Sequence, residues 1–148
     1  MLTATLNILA IAGSAAFAGA MLCIGVTLGG YWRTLPAEQF LEWFATNNHF
    51  ISRTIPMVFV PAFIGVAGSI WLAWGTPSLK FWAAAGVCIL VVAILTFAFF
   101  VPANTAFASK ALSAEETIAK LDQWLSIHNG RIAFAAIASV LGCFAIKV

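Results

Sequence analysis

Of the chain's 148 residues, 63% are hydrophobic and 8% charged, and the mean hydropathy of +1.03 lies outside the range of soluble domains. The sequence is that of an integral membrane protein. A net charge of +2 with no clustered basic face excludes a nucleic-acid partner, and the three cysteines form no C-x-x-C pair, which excludes thiol-oxidising chemistry and leaves Cys23, Cys88 and Cys143 as apolar packers.

Lys, Arg, Asp and Glu are absent from residues 1–32, 54–79, 81–109 and 132–146. The first three runs exceed the ~20 residues a helix needs to cross a bilayer, and the fourth is near the short limit, extended by Lys147 snorkelling at its end. The expected fold is therefore an all-α bundle of four transmembrane helices in a single domain, with spans at about 5–30, 55–74, 81–102 and 131–147. Two short interfacial amphipathic helices on one membrane face complete it.

The first segment lacks the basic start of a signal peptide and stays apolar to Gly30, so it reads as a retained span. Gly13, Ala16, Ala20 and Cys23 recur at helical spacing, with Gly19 nearby, and predict close helix packing on one face. Thr34-x-Pro36 followed by Glu38 predicts a helix start. Phe40, Trp43, Phe44 and Asn47 on one face and Glu38 and Glu42 on another then make the first interfacial helix. His49 and Arg53 follow at the mouth of the second span, where Pro56 and Pro61 predict a kink able to open a cavity.

Trp71 and Trp74 mark the far interface, and Gly75-Thr-Pro-Ser is a tight turn. The third span reads as structural, and the bias of Pro102 on its predecessor places Asn104 beyond a bend. Ser113-x-x-Glu116 is a capping box opening the second amphipathic helix, with His128 on its apolar face. Asn129-Gly130 predicts a break before the last span.

Four spans put residues 31–53 and 104–131 on one membrane face. That face carries all five acids, both histidines and five of the seven basic residues, and the basic count makes it cytoplasmic under the positive-inside rule.

Val101-Pro102-Ala103-Asn104 closes the third apolar run, and Trp124-x3-His128-x2-Arg131 opens the fourth. This pair of signatures, V-P-x-N and W-x3-[N/H]-x2-R in that order, resembles the anthrone-oxygenase-like family of small four-span membrane proteins. The resemblance implies an oxygenase that converts an anthrone to an anthraquinone with molecular oxygen, with no cofactor, because the deprotonated substrate is itself electron-rich enough to react.

Residue chemistry points the same way. His128, Arg131 and Asn104 form the expected catalytic set, with His128 taking a proton from an enolisable aromatic and Arg131 stabilising the phenolate-like anion. Trp124 would stack on the ring, and His49 and Arg53 join it as substrate-binding candidates. The expected partners are the lipid bilayer and a small, flat apolar molecule, with a homo-oligomer left open.

Two other classes stay open. In one, His49 and His128 supply axial ligands to haem or bind a metal ion, although no further ligand stands at metal spacing. In the other, the chain is a non-catalytic membrane subunit or a transporter; the scarcity of intramembrane charge disfavours ion-coupled transport.

Overall fold

The computed structural model describes residues 1–148 and contains four long helices, α1 (Leu2–Trp32), α2 (Ala37–Leu72), α3 (Leu79–Ala108) and α4 (Ala114–Ala145), each long and apolar enough to cross a membrane. Short turns join them, so neighbours in sequence run antiparallel. α1 packs against α2 and α4, and α3 closes the ring between those two. The protein is an all-helical, multi-pass integral membrane protein.

Both amphipathic segments are helical, but neither stands apart from its span. α2 runs unbroken through Pro56 and Pro61, and α4 through Asn129-Gly130. Hydrocarbon offers no partner for a freed backbone group, so continuing the helix is favoured even where glycine costs about 1 kcal/mol relative to alanine. At 1.5 Å per residue, α2 is about 54 Å long against a hydrocarbon layer of ~30 Å. Its charged first turns therefore overrun the apolar layer at one end, as do those of α4.

The polar starts are set by local chemistry. Pro36, in extended geometry, is the N-cap residue of α2, with Glu38 in the first turn against the positive helix end. At α4 the capping box forms as expected: the Ser113 hydroxyl accepts from the Glu116 N–H, and the Glu116 carboxylate accepts from the Ser113 N–H. Exposed ion pairs join Arg33 to Asp122 at 3.1 Å and Lys110 to Glu42 across this end. Such pairs fix which loops meet more than they stabilise the bundle.

Two departures from regular α-helix mark the polar half of the bundle. π-helical turns occupy Ile24–Leu28 in α1 and Thr96–Phe100 in α3. The second directly precedes Pro102, whose ring and missing N–H disfavour a regular turn. The widened ladder lets α3 continue, so Asn104 lies within a helix and not beyond a bend.

The core divides by side-chain size. Toward the polar end it is aromatic, with Trp32 in edge-on contact with Phe40, Trp43, Phe44 and Trp124. Toward the other end α1 and α2 approach closely through small residues: a Cβ added at Gly13 would lie 2.7 Å from the Ala62 nitrogen, and one at Gly65 would lie 2.6 Å from the Ala10 Cα. Ser69 donates to Asn7 Oδ1 at 2.9 Å, and Ser139 to the Ile11 carbonyl at 3.1 Å. Of the small residues expected to pack on α1, Gly13 does so and Ala20 is half-buried, whereas Ala16 and Cys23 are exposed and Gly19 lies in open space; Gly65 on α2 completes the contact.

Candidate functional site

His128 and Arg131 lie one turn apart on α4, on the face that meets both π turns. Their relative exposures are 0% and 1%, which is exceptional for a guanidinium. Each is held by groups from other helices.

His128 has both ring nitrogens engaged. Nε2 lies 2.8 Å from the Met21 carbonyl on α1, just before its π turn, and Nδ1 lies 2.7 Å from Arg131 Nη2. A carbonyl only accepts and a guanidinium only donates, so the proton resides on Nε2 and the Nδ1 lone pair faces Arg131. One face of the imidazole lies on the Trp124 indole, with centroids 4.6 Å apart and planes 14° from parallel. Trp124 in turn donates from Nε1 to Asn104 Oδ1 at 2.9 Å, so α3 fixes the ring that orients the histidine.

Arg131 has no carboxylate partner; the chain's two ion pairs are both at the exposed end. Its guanidinium carbon stands 3.3 Å from the centre of the Phe100 ring, a cation–π contact worth ~2 kcal/mol when desolvated. Nη1 donates to Thr96 Oγ1 at 3.4 Å, while the Thr96 hydroxyl donates to the Val92 carbonyl at 2.7 Å. Nε–H is buried with no acceptor. An aromatic face and one hydroxyl do not neutralise a buried cation, so the site is one anion short.

These groups line a cavity of about 440 Å³ enclosed by α1, α2, α3 and α4. Its walls are mostly hydrocarbon and aromatic, among them Ile24, Ile55, Pro56, Phe59 and Phe100, and Arg131 is its one charged lining group. The size suits a ligand of a few fused rings. Pro56, which has no N–H to donate to the Ser52 carbonyl one turn back, lines the cavity together with Ser52. The cavity lies against Pro56, in a helix that continues through it.

Of the residues singled out from sequence, His128, Arg131, Asn104 and Trp124 all meet at this cavity. His49 and Arg53 do not line it. His49 is exposed, with Nδ1 3.0 Å from the Thr46 carbonyl and its ring against Phe50, and Arg53 is exposed and unpaired. A haem clasped between His49 and His128 does not fit this arrangement, since His128 has no free ring nitrogen and His49 turns away from the cavity. Trp124 stacks on His128, so the ring wall facing a ligand includes Phe100.

Three contributors were not read from the sequence. Thr96 and Phe100 belong to a span that looked structural, and the Met21 carbonyl carries no side-chain signal. Ala93, Thr96, Phe97, Phe100, Val101 and Asn104 form a stripe at helical spacing on α3, and extending it back from the V-P-x-N signature would have found the first two.

The chain is thus a four-helix membrane bundle whose apolar cavity carries a buried guanidinium without a carboxylate partner. The family model described as anthrone oxygenase matches residues 40–141, more than half of the chain, and the protein belongs to that family. No curated protein and no solved structure matches it.

Proposed function

We propose that the protein is a membrane oxygenase that binds a flat, enolisable aromatic ketone or phenol as its anion and allows that anion to react with molecular oxygen. The observation that carries this reading is Arg131, a buried guanidinium without a counter-anion and with an orphaned Nε–H, facing a cavity of aromatic and aliphatic walls. An enolate or phenolate oxygen supplies the missing charge, and a low-dielectric wall makes that pairing strong.

Deprotonation follows from the hydrogen-bond exchange this arrangement permits. In the resting site Arg131 Nη2 occupies the His128 Nδ1 lone pair. When the guanidinium turns to the substrate oxygen it releases Nδ1, which becomes a base at the moment the anion gains its stabilising partner. Met21 and Trp124 hold the imidazole plane during the exchange.

For an anthrone the atoms balance simply. One methylene proton goes to His128, and the enolate carbon forms a bond to oxygen. His128 returns its proton to the terminal oxygen of the resulting peroxide, giving a hydroperoxide. Loss of the second methylene hydrogen with cleavage of the O–O bond yields the ketone and water, so one anthrone and one oxygen molecule become one anthraquinone and one water.

The direct test is oxygen uptake and anthraquinone formation by the protein in lipid nanodiscs supplied with anthrone. One-to-one stoichiometry is expected, and no rate above that of empty nanodiscs would exclude the reaction. His49→Ala serves as the internal discriminator. It should leave turnover within about twofold, because His49 neither lines the cavity nor touches Arg131. Loss of turnover in that variant would bring the exposed histidine back into the chemistry.

A further inference from the structure

We propose that the cavity has two doors of opposite polarity: a lateral gate to the bilayer between α2 and α3, which admits the apolar ligand, and a polar mouth at the loop end, which exchanges water. The proposal rests on geometry alone and not on the oxygenase reading.

The lateral gate is identified by residues that line the cavity and also face lipid. Val60 of α2 is 48% exposed and Phe97 of α3 is 72% exposed, and both belong to the cavity wall. At this level the seam carries Pro56 in α2, which lacks an N–H, and the Thr96–Phe100 π turn in α3, which departs from regular α-helical ridges. A second, apolar groove of about 310 Å³ continues down the same seam past Phe63 and Val87, so α2 and α3 stay loosely joined below the gate.

The polar mouth lies at the other end of the cavity. Asn48, Asn104, Thr105 and Ser109 line a recess of about 450 Å³ that shares Ser52, Val101 and Asn104 with the cavity itself. Its hydroxyl and amide groups can hold water, which hydrocarbon at the gate cannot. An apolar ligand dissolved in lipid is concentrated at the first door, whereas water exchanges through the second.

Thiol labelling separates the doors without any need for turnover. In protein lacking its three native cysteines, Ile24→Cys puts a reporter on the buried back wall of the cavity, reachable only through one of them. Ala93→Cys is the second reporter, on the α3 wall, should the first not fold. The probes are pyrene maleimide, which partitions into lipid, and a sulfonated maleimide confined to water. Val60→Trp should slow the pyrene reagent about tenfold and leave the sulfonated one unchanged. Thr105→Trp should do the reverse, and Val60→Ala should speed the pyrene reagent. Ile94→Trp, on the lipid face of α3 but off the cavity, should alter neither. If Thr105→Trp blocks both reagents and Val60→Trp blocks neither, the site has a single aqueous door and the proposal is wrong.

Discussion

Replacing Arg131 by Gln should lower kcat/KM for anthrone oxidation by about 10²–10³, the range lost when one preorganised donor to a developing anion is removed. The same change should leave the melting temperature of the protein in detergent unaltered or raise it. The sign comes from the absence of a carboxylate around Arg131: removing an unpaired buried charge relieves a desolvation cost, where breaking a buried pair would create one. A purely structural arginine would give the opposite pattern, with stability and activity falling together. Arg131→Lys keeps the charge but loses the planar fork that reaches His128 and Thr96 at once, so it should restore less than about a tenth of the lost rate. Steady-state anthraquinone formation in nanodiscs, paired with thermal unfolding of the same preparations, checks both halves.

The largest expected effect on the fold is at Gly65. A Cβ there would run into the backbone of Leu9 and Ala10 on α1, and backbone cannot step aside as the end of a side chain can. Gly65→Val should therefore cost at least ~4 kcal/mol, beyond ordinary overpacking, and should show as loss of the monodisperse species on size exclusion. Gly19→Val, with nothing within 4 Å of the added atom, should stay within about 0.5 kcal/mol of the parent. Equal behaviour of the two variants would mean that α1 and α2 do not meet through their small residues.

That contrast also indicates what the amino-acid sequence could tell. Of the small-residue stripe on α1, Gly13 packs against α2 as its spacing suggested, but Ala16 and Cys23 of the same stripe are exposed. Spacing does not report which partner approaches, so Gly65 was not singled out and Gly19 was placed in a contact it lies outside. The four spans and the Ser113–Glu116 cap were legible, since charge-free length and capping chemistry are local properties. Helix breaks were overread at Asn104 and Asn129-Gly130. Residue propensities measured against water do not include the penalty hydrocarbon places on a free backbone group.

At the site, Trp124, His128, Arg131 and Asn104 could be collected from their pattern. The difference between His128 and His49 could not, although Glu42-Trp43-x5-His49-x3-Arg53 and Asp122-x-Trp124-x3-His128-x2-Arg131 look alike. His128 and Arg131 stand three apart, on the inward face of α4. His49 and Arg53 stand four apart on an outward part of α2, one exposed beside Phe50 and the other free. Which face turns inward is decided by packing across the bundle. The same holds for the Met21 carbonyl and for Thr96, which complete the site from helices that carry no ionisable group there.

Stabilisation of a flat aromatic anion by Arg131 is tested most directly by the absorption spectrum of anthrone bound to the protein without oxygen. Anthrone and its enolate absorb at different wavelengths, and the absence of oxygen holds the system before any turnover. Bound anthrone should show the enolate band at a pH where anthrone in empty nanodiscs does not, and Arg131→Gln should abolish the band while anthrone still binds. Bound anthrone that keeps its ketone spectrum, or an enolate band that survives Arg131→Gln, would contradict anion stabilisation by Arg131.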